Sequence, residues 1–162
     1  MSVPVSIQHG TPTDRLAVVR LLDAAMLETD ADRVRRQLRQ QEGVILIATI
    51  AETAVGAIAL DAAVAADSQH FDGDADPVRI TAIAVRRRRR DRGIGRQLVA
   101  AAAEEVAPCP LTAVFDWRVR PFYSACGFEI EPAGRRHWGV RRPAATTTAQ
   151  VDDAGESSSK GE

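Results

Sequence analysis

The hydrophobic and polar positions change period several times along the chain, and each change marks an element. Val3, Val5 and Ile7 alternate with polar neighbours, the period of a half-buried strand over Val3–Gln8. Thr11-Pro12-Thr13-Asp14 then offers a capping side chain and a proline for a first turn, which predicts a helix entry. Leu16, Val19, Leu22 and Met26 carry a helical apolar stripe to about residue 26. Asp30–Gln41 places Val34 and Leu38 one turn apart among Arg and Gln, the pattern of an outer helix. Val44–Ile50 and Ala54–Asp61 are β-rich runs joined through Glu52-Thr53 as a hairpin.

Ala62–Pro77 follows, an acidic connection of small residues that offers little core. Val78–Val85 reads as the next strand and Gly93–Val106 as a helix, ended by Pro108 and Pro110. Leu111–Asp116 is a fifth strand. Arg120–Cys126 is a short helix stopped by Gly127, which suits a left-handed cap. Phe128–Ile130 and His137–Arg141 make a final hairpin around Pro132-Ala133-Gly134. The order β-α-α-β-β-β-α-β-α-β-β predicts a mixed sheet with helices on its faces, an α/β or α+β fold. From about Pro143 the sequence turns to Thr, Ser, Gly and acidic residues, so one domain over 1–142 and a disordered tail over 143–162 are expected.

Composition narrows the classes. The longest apolar runs, Val44–Ile50 and Leu98–Ala103, are too short to span a bilayer. Met1–Ser6 lacks the basic region and apolar run of a secretory signal, so no membrane partner and cytoplasmic residence are expected. Cys109 and Cys126 have no metal-ligand spacing. Asp72-Gly73-Asp74-Ala75-Asp76 begins like a calcium loop, but Pro77 and Ile83 stand where its glycine and bidentate glutamate belong. No metal is expected. The net charge is only −1, yet arginines gather at 86–96 while acids gather at 67–76 and in the tail. That asymmetry marks 86–96 as the place for an anion.

The chemistry of that stretch is specific. Ile80–Val85 is a strand, Arg86–Arg90 is five arginines, and Gly93 and Gly95 open a helix. Glycines let backbone N–H groups approach a ligand, and a helix start presents unpaired N–H groups to an anion. The dinucleotide fingerprint fails because Leu98 stands where its third glycine belongs, and no Gly-Lys-Ser/Thr follows for a Walker loop. Arg90-Asp91-Arg92-Gly93-Ile94-Gly95, after a strand ending Ile83-Ala84-Val85, resembles the acyl-CoA-binding motif of the GNAT superfamily of N-acyltransferases, Arg/Gln-x-x-Gly-x-Gly/Ala. Phe122-Tyr123-Ser124-Ala125-Cys126-Gly127-Phe128-Glu129 resembles that superfamily's Phe-Tyr-x-x-x-Gly-Phe-Glu segment. The element order is similar too, so the likeness covers about residues 3–142.

The resemblance implies a GNAT-like, mostly antiparallel central sheet with helices on both faces, and acetyl-CoA as co-substrate. It implies that Ile83, Ala84 and Val85 pair with the pantetheine arm. Residues Arg90, Asp91, Arg92, Gly93, Ile94, Gly95 and Arg96 would wrap the diphosphate, mostly by main-chain N–H groups. Tyr123 falls where members place the acid that protonates the departing thiolate. Relatives' glutamate before the glycine loop is missing: Val78–Val85 holds no carboxylate. Glu28, Asp61, Asp116, a water chain or an already deprotonated amine are the alternatives for the base.

The expected activity is therefore direct acetyl transfer to the amine of a small-molecule or peptide acceptor. Two rival readings are carried beside it: an acyl-CoA-binding sensor without catalysis, and a nucleic-acid-binding protein led by Arg86–Arg90. The second is disfavoured because no aromatic interleaves with the arginines. His9, His70 and His137 are scattered, Cys126 reads as a small buried filler, and Trp117 and Trp138 either line an acceptor cleft or pack on the sheet. Homodimerisation is left open.

Overall fold

β2 (Val44–Ile50) and β3 (Thr53–Ala62) are apolar at almost every position, as strands buried on both faces must be. In the computed structural model, which describes residues 4–24, 34–36, 39, 43–62 and 76–143, they lie inside a seven-stranded sheet. The other strands are β1 (Ser6–His9), β4 (Val78–Val85), β5 (Leu111–Phe115), β6 (Glu129–Ala133) and β7 (Arg136–Arg141). The helices are α1 (Arg15–Ala24), α2 (Ile94–Val106) and the short α3 (Arg120–Ala125). Strand order is β1-β2-β3-β4-β5-β7-β6, and every pairing is antiparallel except β4 with β5. The mixed, mostly antiparallel sheet with helices is the expected one.

Alternation along β2 builds two cores. Ile45 and Ile47 meet Val18, Leu21 and Leu22 of α1 together with Val34. Leu46 and Ala48 face the opposite way, into the cluster that holds Ile94, Leu98, Val99 and Ala102 of α2. α3 joins that second cluster through Tyr123 and the residues just after it, Cys126 and Phe128. Burying each large aliphatic side chain contributes roughly 1.5–3 kcal/mol, so both helices are held chiefly by these stripes.

Several boundaries differ from expectation. β1 begins at Ser6, after Pro4 and Val5 that are not strand, though Val5 and Ile7 do pack on the α2-side core. The buried stripe of α1 is Val18, Leu21 and Leu22, and Leu16 is 60% exposed. The β2–β3 turn sits at Ala51-Glu52, with φ of 48° and 67°. Two left-handed residues in a row suit the twist of a tight hairpin, but neither residue type announces it. The last hairpin turns at Gly134-Arg135, which leaves Pro132 inside β6, an edge strand where a missing N–H is tolerated. Within the expected outer helix, residues 34–36 are helical and Val34 is buried. The rest of Asp30–Gln41 apart from Arg39, together with Val3, Met26, Glu28, 63–75 (with His70 and the calcium-like run up to Asp76) and the tail from 144, lies outside the described residues.

Candidate functional site

β4 and β5 run parallel but pair only at Val78 with Leu111 and Arg79 with Thr112. From Ile80 onward the β5-facing edge of β4 is open, and a cleft begins where the strands part. On the other edge, β3 pairs Leu60 with Ile80 and Ala59 with Ala82, so Thr81 is an extra residue, a bulge. The Thr81 hydroxyl donates to the Ala59 carbonyl at 3.2 Å. The bulge resets the alternation of side chains. Val78 and Ile80 before it, and Ile83 and Val85 after it, all pack toward α2, while Ala82 and Ala84 turn toward α1.

The turn after β4 is tied down by backbone. Arg86 N–H donates to the Val55 carbonyl at 2.8 Å, and Arg90 folds back so that its Nε donates to the Val85 carbonyl at 3.1 Å. Arg87–Arg89 form one 3-10 turn, and Asp91 then takes a left-handed φ of 62°. Gly93, at φ 80°, is the N-cap of α2. The first helical bond is Gln97 N–H to the Gly93 carbonyl at 3.0 Å, which leaves the amides of Ile94, Gly95 and Arg96 without an intrahelical acceptor. No side chain caps them. Three free donors at the positive end of a helix, with Arg92 and Arg96 exposed beside them, are an arrangement suited to an anion.

The predicted residues serve this site unequally. Ile94 is 2% exposed, so its side chain belongs to the core and only its amide faces outward chemistry. A Cβ on Gly93 would meet no atom within 4 Å, so the φ alone requires glycine there. Gly95 is different: its Cβ would stand 3.0 Å from Cε2 of Phe122. The reading of Gly95 as a residue kept small for a ligand is therefore incomplete, because the Phe122 ring occupies that space. This contact also joins the two sequence motifs into one structure.

Tyr123 is held from several sides. Its carbonyl accepts from the N–H groups of Cys126 and Phe128, each at 3.1 Å, with Gly127 at φ 86° between them. Its ring stacks on Phe115 at 4.3 Å and meets the rings of Phe122 and Phe128 edge-on at 5.2 and 5.1 Å. Burial, with a smaller contribution from Cys126, pushes the hydroxyl up to about 12. Burial also raises the Cys126 thiol, against the pull of Arg96 and Arg141. Cys126 is 8% exposed, as a core filler should be.

The candidate bases fare differently. Asp61 stands one residue before the end of β3, opposite Arg79. The Asp116 carboxylate accepts the Arg118 N–H at 3.0 Å and so caps the turn Trp117–Val119. Trp117 is 64% exposed whereas Trp138 is buried, so the two tryptophans do not share a task. His9 pairs with Glu105 at 2.7 Å, away from the cleft. His137, one of the three scattered histidines, has its ring parallel to Phe115 at 6.0 Å and its Nδ1 buried without a hydrogen-bond partner among the described residues. Only the β5–β7 register, Phe115 opposite His137, brings it there, and no local pattern encodes that register. Among the described residues no group of His, Cys, Asp and Glu could hold a metal ion, and no helix is long and apolar enough to cross a membrane.

The family model of the acetyltransferase (GNAT) domain matches residues 41–130. No curated protein matches the chain. Among solved structures, NAA60 of Arabidopsis thaliana in complex with acetyl-CoA superposes with a TM-score of 0.73 at 13% identity, over 85% of this chain and 98% of that one. The GNAT family N-acetyltransferase YhbS of Escherichia coli, in complex with CoA, gives 0.71 at 21% identity, over 89% of this chain and 84% of that one. N-acetylglutamate synthase of Neisseria gonorrhoeae, complexed with coenzyme A and L-arginine, gives 0.67 at 20% identity, over 88% of this chain but 34% of that one. At these identities the structures speak for the fold. The family match spans more than half of the sequence and contains the split strands, the glycine turn and the Phe-Tyr segment, and on that ground the chain belongs to the GNAT acetyltransferase family and is an acyltransferase.

Proposed function

We propose that the protein is an acetyl-CoA-dependent N-acetyltransferase whose acceptor amine attacks the thioester directly in a ternary complex. The observation that carries this reading is the uncapped start of α2, with its three free amides, set at the end of a strand whose outer edge is open. The amides of Ile94, Gly95 and Arg96 hold the diphosphate, Arg92 and Arg96 add charge, and Asp91 and Gly93 shape the turn by their left-handed backbone. Arg90 braces the turn on Val85. The open edge over Ile83, Ala84 and Val85 pairs with the pantetheine arm. Acetyl-CoA supplies an activated acyl group.

The chain contributes position, a donor for developing negative charge and a proton. A backbone N–H of β4 near Val85 stabilises the oxyanion. The amine nitrogen bonds to the acetyl carbon as the C–S bond breaks, and sulfur leaves with the electron pair. Tyr123 gives that sulfur its proton and is reprotonated from solvent, which receives the proton lost by the amine. With a tyrosine near 12 and a thiol near ~8.5, complete transfer ahead of bond breaking would be uphill by about 5 kcal/mol. The proton therefore moves with C–S cleavage.

Incubating the chain with acetyl-CoA and a panel of amines, with a free-thiol readout, tests the reading. Amine-dependent release of thiol is expected. Stabilisation by acetyl-CoA without thiol release on any amine would favour the sensor, which the lack of a carboxylate on β4 also suggests.

A further inference from the structure

On the α1 side of the sheet, a cleft of ≈ 630 Å³ runs between α1 and the arginine turn. Leu16 and Arg20 stand on one wall, Val85, Arg86, Arg87 and Arg88 on the other. Among the described residues the lining contains no carboxylate. None of Arg20, Arg86, Arg87 and Arg88 forms an ion pair among the described residues. Five guanidinium groups around one hollow, Arg90 among them, repel each other until an anion enters. Leu16 leaves an apolar side chain exposed beside them, on a helix whose other large aliphatic residues are buried or half-buried. Gly93, Ile94, Gly95 and Arg96 do not line this space, which meets the cofactor turn only at Val85 and Arg90.

We propose that this cleft takes an acidic peptide segment that carries the acceptor amine. The proposal rests on the acetyl-transfer reading and names the acceptor class for it. Guanidinium groups bind carboxylates through paired N–H donors, while the exposed Leu16 gives peptide side chains an apolar wall. The volume suits a ligand larger than a lone small amine. No aromatic among the described residues lines the cleft, so they offer none of the stacking platform that single-stranded nucleic acid uses. Strands rise about 3.3 Å per residue, so Val85 and the stretch just after the bulge lie roughly 10 Å apart. An extended peptide of about three residues bridges that span, with its acids among the arginines and its amine beside β4.

The test uses the full chain, saturating acetyl-CoA and two free-amine hexapeptides, one with Asp and Glu after the first residue, the other with Asn and Gln there. Acetylation of the acidic peptide is expected to exceed that of its amide twin at least tenfold in kcat/KM. Arg20→Ala should erase that difference, Arg20→Lys should restore part of it, and the melting shift given by CoA should stay unchanged in both. Equal rates for the two peptides in the wild type would overturn the proposal. So would loss of the CoA melting shift in Arg20→Ala, which would assign the cleft to the cofactor, or stronger competition from an oligouridylate than from the acidic peptide. A wild type with no CoA melting shift and no transfer to any amine would be the failure of the acetyl-transfer reading itself. A normal shift with no preference for acids is the failure of this proposal alone.

Discussion

Gly93 and Gly95 look alike in the sequence and answer to different constraints. Gly93 has room for a Cβ and needs only its left-handed backbone, which a non-glycine residue adopts at a cost of about 1–2 kcal/mol. Gly93→Val is expected to abolish CoA binding in calorimetry, and retained tight binding would mean that the turn is not the cradle. Tyr123 carries two predictions. Tyr123→Phe should lower kcat while the Kd for acetyl-CoA holds, and an unchanged kcat removes the hydroxyl from the reaction. Because the folded chain keeps this phenol protonated to about 12, against about 10 when unfolded, its neutral form contributes stability that is intact below pH 10. That contribution falls away between pH 10 and 12, by roughly 3 kcal/mol in all. Denaturant unfolding of wild type and Tyr123→Phe across this window should show the steeper decline in the wild type.

At the scale of elements, the bulge at Thr81 does the most to shape the site. Deleting Thr81 leaves Val78, Ile80, Ile83 and Val85 on one face by plain alternation, so the core faces survive the loss. The shortened chain is expected to fold with a melting temperature within a few degrees of wild type. Its turnover should fall on the order of 10²-fold, the loss typical of one misplaced oxyanion donor; full activity would show that the bulge has no part in the chemistry. The bulge was not legible in Val78–Val85, where an extra residue looks like any other. The strand itself, the capped end of α3 at Gly127 and the start of α2 at Gly93 were legible, because each rests on a local rule of period or backbone sign. Leu16 shows the limit of the same rule. Its spacing fits a buried stripe, yet α1 buries Val18, Leu21 and Leu22 instead, and only packing against Ile45 and Ile47 decides between the two faces.

The whole molecule is nearly neutral, at a net charge of −1, yet its arginines are concentrated around one end of β4. The glycine turn and the uncapped start of α2 were readable from that charge pattern and the two glycines together. What brings it against Tyr123 was not: Phe122 fills the space beside Gly95, and Phe115 and His137 come from strands whose order, β5-β7-β6, no local pattern states. Titration calorimetry of the full chain with coenzyme A tests the central claim most directly, because it isolates the free amides of Ile94, Gly95 and Arg96 from every question about the acceptor. A saturable heat with one site, matched by a rise in melting temperature, is predicted. No heat and an unmoved melting temperature at saturating coenzyme A would contradict it.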